Sequence, residues 1–178
     1  NYYLTRGFFD VVVAAENHAF NLERDRVSLT IRVIEGKKYR ISAFKFEVDG
    51  KGVFPESLLK DQLQFKANDY YDEKLIIKSI QDIEHLYKKN SYIDARVAHA
   101  LVFPMSGESV LVVLRVREGE KIFIENIEIR GNDETKDKII RRELPFYPGE
   151  AINVELLEDG ISNLHSTGYF RVKPPTLE

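Results

Sequence analysis

The stretch RVREGEKIFI (115–124) runs into IEIRG (127–131), a turn and IIRREL (139–144). About 80 residues earlier, RVIEGKKYRI (32–41) runs into FKFEV (44–48), a turn and LLKDQL (58–63). A shorter landmark occurs as RGFFDV (6–11), NSYIDARV (90–97) and TGYFRV (167–172). Repetition at a fixed period marks a chain built of similar small units in a row. The functional question then moves from a catalytic centre to what such a row binds.

Working outward from the linker, residues 37–118 hold one complete copy, read as strand, helix, helix, strand, strand. Tyr39 to Val48 alternates like a strand but changes phase: Tyr39 and Ile41 share one parity, Phe44, Phe46 and Val48 the other. Ile122 and Ile124 against Ile127 and Ile129 change phase at the matching place, which predicts a shared bend or bulge. Asp49-Gly50-Lys51-Gly52 is a turn, and Pro55 suits the first turn of a short helix with Leu58, Leu59 and Leu63. Asp72 and Asn153 are N-caps for longer helices, each with one apolar stripe. A Gly or Ser followed by an aromatic ends each long helix (Gly7-Phe8, Ser91-Tyr92, Gly168-Tyr169), a place where the chain needs positive φ. Alternating segments from Phe9 and from Ile93 then pair with Val27–Val33 and Val110–Val116 as hairpins.

The fold class is therefore α+β: tandem β-α-α-β-β modules, each a three-stranded mixed sheet with two helices on one face. The boundaries fall at Gly36 and Gly119. Residues 1–36 are the C-terminal part of one module, 37–119 a complete one, and 120–178 one lacking its last strand. Units of this size lie near the lower limit for a self-sufficient core. The chain opens inside a repeat with neither an initiator Met nor a signal peptide, so it is expected to be a piece of a longer protein.

Of the 178 residues, 43% are apolar and 31% charged, ordinary for a globular protein. A net charge of −3 with scattered Lys and Arg argues against nucleic acid, which asks for a concentrated basic face. Without Cys there are no disulfides, thiolate metal sites or Cys nucleophiles. The four His, at 18, 85, 99 and 165, have no metal-ligand spacing and read as structural or solvated. Gly50-Lys51-Gly52 is too short for a phosphate loop, and Gly131-Asn132-Asp133 lacks the ligand alternation of a calcium loop. The acidic pairs Asp82/Glu84 and Glu155/Glu158 lie on outward helix faces and read as solvated charge. Neither an enzyme nor a cofactor or metal is expected.

What remains is binding. A three-stranded sheet leaves edge strands whose free N–H and C=O groups accept another strand with little regard to its sequence. The candidate edges are Phe8–Glu16, with Phe9, Val11, Val13 and Ala15, and Tyr92–Phe103, with Tyr92, Asp94, Arg96 and Ala98. The competing reading is half-buried sheet shielded by its neighbours. A second candidate surface is Arg141-Arg142-Glu143, read as the charged start of a short helix, where Arg can grip a carboxylate. Its competitor is a solvated face with pairing inside the helix.

The order of elements, the Glu-Gly linkers, GNDETKDKIIRREL (131–144) and the GFF/GYF landmark together resemble POTRA domains over essentially the whole chain. They resemble most the periplasmic arrays of outer-membrane β-barrel assembly proteins. IEIRGN, TKDKIIRREL and PGEAIN look like the repeat nearest the barrel, which makes this chain the end of a third, all of a fourth and most of a fifth repeat. The resemblance implies a Gram-negative periplasmic location and a scaffold that receives unfolded outer-membrane β-barrel proteins. It implies strand pairing at the third repeat's edge, here Phe9–Glu16, and lipoprotein partners of the assembly complex, one docking at Arg141, Arg142 and Glu143. Contact with the membrane is implied only through a C-terminal barrel outside this chain. Rival readings are a two-partner secretion or translocation assembly transporter, or a cell-division interaction module without a barrel.

Overall fold

Alternating apolar residues become strands and residues at helical spacing become helices. The computed structural model describes residues 2–105 and 107–168. In chain order these are β1 (Val12–Phe20), β2 (Val27–Ile34), β3 (Arg40–Asp49), α1 (Glu56–Lys60), α2 (Glu73–Lys89), β4 (Arg96–Val102), β5 (Ser109–Arg117), α3 (Asp137–Arg142) and α4 (Val154–Ser166). A 3-10 turn at Leu4–Arg6 precedes them. β1 and β2 form an antiparallel pair whose register shifts between Ala15 and Asn17, and the second sheet has the order β3-β5-β4. In that sheet the Arg40 N–H bonds the Glu108 carbonyl (3.0 Å) and the Glu118 N–H bonds the Asp49 carbonyl (3.1 Å). Start meets start and end meets end, so β3 and β5 run parallel and the sheet is mixed.

The described residues group into two compact units. One takes in residues up to Glu47, Phe54–Gln81 and Ala98–Arg115; the other takes in Val48–Val53, Asp82–Val97 and residues from Val116 on. The first unit buries Ile41, Leu59, Phe65, Ile76, Val110 and Val112. The second buries Ile83, Tyr87, Ala95, Val116 and Leu164. Each fully buried aliphatic side chain contributes about 1.5–3 kcal/mol. α2 starts where Asp72 Oδ1 accepts the Lys74 N–H (2.9 Å), and α4 where Asn153 Oδ1 accepts the Glu155 N–H (2.9 Å).

The internal repeat is visible bond by bond. The Ile41 N–H bonds Asp69 and the Tyr71 N–H bonds Tyr39; the Ile124 N–H bonds Glu150 and the Ile152 N–H bonds Ile122. The phase change is equally shared: Tyr39, Ile41, Phe44 and Phe46 are all at least half-buried, as are Ile122, Ile124, Ile127 and Ile129. One pair of positions shows how the copies diverge. Ser79, fully buried, accepts the Gln64 N–H and donates to the Leu75 carbonyl, both at 2.8 Å. The second copy has Pro145 and Gly160 in their places. Proline has no N–H to satisfy, and a Cβ on Gly160 would lie 3.2 Å from the Pro145 ring and 2.9 Å from Phe146.

The structure departs from the sequence reading in three places. The strands begin later than the alternation suggested: Phe9 and Val11 precede β1, and Tyr92 and Asp94 precede β4, because Gly7 and Ser91 take left-handed φ (88° and 80°) and start a turn. Residues 122–130 form no ladder, only an isolated bridge from Phe123 to Ala151, since no strand among the described residues lies alongside them. Arg141 and Arg142 lie in the last turn of α3 and Glu143 is its C-cap, so this group ends the helix. Asp137 in the first turn and two arginines in the last both complement the helix dipole. The third landmark, from Tyr169 on, lies outside the described residues.

Candidate functional site

β4 ends the sheet order, so among the described residues one side of it has no strand partner, and β1 pairs only with β2. Val13 and Ala15 on β1, and Arg96 and Ala98 on β4, are exposed. The residues ahead of the strands do different work. Phe9 packs against Tyr39, Tyr71 and Phe103, with ring centroids 5.3, 5.1 and 5.0 Å away. Burial pushes the Tyr71 hydroxyl up to about 12. Tyr92 packs edge-on against Tyr87 at 6.1 Å, and Asp94 sits under Gly119, whose Cβ would lie 3.3 Å from it. The sequence-nominated residues thus separate into edge residues and residues that lock a joint.

The Arg141 guanidinium donates to the Ile127 carbonyl (2.8 Å), tying α3 to the extended segment. Arg142 faces Glu143 at 3.5 Å and is 77% exposed, leaving it open to a partner. The Glu143 carbonyl accepts from Asn163 (3.1 Å). Beside this group lies an apolar hollow of about 360 Å³ lined by Ile124, Ile127, Leu144, Phe146, Leu157 and Ile161.

Three carboxylates read as linker or solvated charge turn out to be engaged. Glu118, 1% exposed, accepts from the Tyr87 hydroxyl (2.8 Å) and from the Gly52 and Val53 N–H groups (2.9 and 2.8 Å). Burial pushes its pKa up, but the Tyr87 hydroxyl and the backbone donors outweigh it and hold the carboxyl below its ordinary value. Burial first, and then the bond to Glu118, push the Tyr87 hydroxyl well above its ordinary range. Glu155 holds Lys89 (2.8 Å) and His85 (3.3 Å), linking α4 to α2. Glu84 accepts the Val97 N–H at 3.0 Å. The recurrence of Glu in both linkers, each with a Tyr four residues before the turn residue (Tyr3 before Gly7, Tyr87 before Ser91), was the available signal for Glu118. Among the described residues no cluster of His, Asp and Glu is arranged to hold a metal ion, and no helix is long and apolar enough to cross a membrane.

An antiparallel strand pair, a mixed three-stranded sheet and two matching glycine joints define a class of tandem α+β repeat. The family model for POTRA, "Surface antigen variable number repeat", matches residues 39–119 and 122–177, and the chain belongs to that family. It is 27% identical to the outer membrane protein assembly factor BamA of Buchnera aphidicola, covering 96% of this chain and 27% of that protein. It is 24% identical to BamA of Neisseria meningitidis, again over 96% of this chain but 21% of that one. The chain spans about a quarter of the length of these relatives. The crystal structure of Haemophilus influenzae BamA POTRA3-5 superposes with a TM-score of 0.66 at 23% identity, over 99% of this chain and 71% of that one. This is a POTRA region like that of BamA.

Proposed function

We propose that this chain is the periplasmic scaffold of an outer-membrane protein assembly factor, organised as modules 1–36, 37–119 and 120–178. It receives nascent β-barrel strands on its open sheet borders and docks assembly-complex lipoproteins through Arg142 and Glu143. The reading rests chiefly on one observation: β4 closes the sheet order β3-β5-β4 and, among the described residues, has a side with no strand partner. Main-chain pairing there accepts many sequences, which suits a receiver of varied unfolded chains. Kinship with assembly factors supports the same reading. No catalytic step is needed for such work.

The test uses labelled peptides copied from barrel strands. Val12→Pro and His99→Pro each remove a backbone donor from a border strand and weaken peptide binding severalfold. Full affinity in both variants would refute strand addition. Glu143→Lys reverses the charge beside Arg142 and lowers lipoprotein co-purification; undiminished recovery would place the docking surface elsewhere.

A further inference from the structure

Val97 is the second residue of β4, and its N–H goes to Glu84 Oε1 on α2 at 3.0 Å. In a strand, the N–H and C=O of one residue leave on the same side, and successive residues alternate sides. A donor spent on a helix side chain is not spent on β5. Val97 therefore turns its polar groups to the strand's open side, where Glu84 occupies the position an added strand's carbonyl would take. The other carboxylate oxygen of Glu84 lies 3.8 Å from Lys88 Nζ, one helical turn on. The Glu84 side chain is only 22% exposed, so it lies against the fold.

We propose that Glu84 is a displaceable cap on the β4 border, rationing access of an extended polypeptide strand. This rests on the strand-addition reading above and adds its regulation. An incoming carbonyl replaces the carboxylate at the Val97 N–H, and Lys88 retains the released charge. The exchange trades a charge-assisted bond for a neutral one, so addition at the start of β4 is opposed and never blocked. The same device protects an exposed border from pairing with other copies of the chain.

The test measures two quantities in the intact chain: amide hydrogen exchange at Val97 without ligand, and affinity for the labelled barrel-strand peptide. Glu84→Ala should speed Val97 exchange by about tenfold and tighten peptide binding severalfold. Glu84→Gln, which keeps the side chain's size, should shift both in the same direction by less. Lys88→Ala leaves the released carboxylate without its cation and should weaken peptide binding. Faster exchange with unchanged affinity would leave Glu84 a purely structural cap and overturn the proposal while strand addition stands. Unchanged exchange would overturn it outright. Failure of the peptide to bind wild type and every variant would instead refute strand addition, and the cap's role with it.

Discussion

The two linker joints share a backbone and differ in what locks it. At the first, the Tyr39 N–H bonds the Gly7 carbonyl (2.8 Å) and Gly36 lies against Asp10. At the second, the Ile122 N–H bonds the Ser91 carbonyl (2.9 Å) and Gly119 lies against Asp94. Gly36 and Gly119 take nearly the same φ, 72° and 71°. Around the first the lock is aromatic: Phe9, Tyr39, Tyr71 and Phe103, with the Tyr39 hydroxyl bonding Asp10 at 3.0 Å. The second has isoleucines at 93, 122 and 152 where the first has Phe9, Tyr39 and Tyr71, and it is locked by charge, through Glu118 and Glu155. The repeat thus specifies the turn of the main chain, while side chains decide whether a joint responds to pH and salt.

The largest break in this comparison comes from Glu118→Gln. The amide keeps the volume but must aim an NH₂ at one of the donors now facing the carboxylate. The expected loss is about 3 kcal/mol in urea unfolding, with faster exchange at Gly52 and Val53. Glu35, the matching residue at the first joint, also bonds a tyrosine, Tyr3, but is exposed, so Glu35→Gln should cost far less than Glu118→Gln. Equal losses at both positions would erase the distinction. The pH dependence has a definite sign. With its folded pKa below the ordinary 4.5, Glu118 contributes stability that is complete above that value and is lost as pH falls through the folded one.

Phe9→Ala should have the next largest effect. It removes three ring contacts from a half-buried side chain, a loss of about 2 kcal/mol. Exchange of the Tyr39 amide should quicken while that of Ile122 does not. Ile93→Ala at the second joint should cost about 1 kcal/mol and reverse the pattern of exchange. If both variants loosen both amides alike, the locks are not local.

How much of this was legible beforehand follows from where each partner lies in the sequence. The element order, both helix caps and the phase change after Ile41 and Ile124 are local patterns, and each is found in the structure. So are the left-handed residues at Gly7, Ser91 and Gly168. The strand over 122–130 is missing because a ladder needs a neighbour, which alternation cannot supply. α3 begins at Asp137, before the point the sequence suggests, because its N-cap Lys136 makes no side-chain capping bond and no Ser, Thr or Asp marks the start. Glu118 belongs to the repeat, but its role is not legible in it, since its donors lie 31, 65 and 66 residues away. Glu84 and Glu155 lie off the apolar stripes of their own helices, and only packing shows what they meet.

The smallest effect, and the sharpest discriminator between the joints, is expected of Glu155→Gln. Glu155 and both its partners are partly exposed, so water screens the pairs and most of the Coulomb energy is already lost. Lys89 is the chief cause of the lowered Glu155 pKa, with burial opposing it and His85 adding a smaller part. The variant should lower Tm by roughly 1–2 °C at low salt, and that difference should vanish near 1 M, where the Debye length is about 3 Å. The salt series should quicken exchange at Ile122 in wild type more than at Tyr39, because the ion pair near the aromatic lock, Lys37 with Glu108, is exposed and the rings carry that joint. A Glu155→Gln effect that persisted undiminished in high salt would mean that α2 and α4 are held by packing, and the electrostatic half of the comparison would fall.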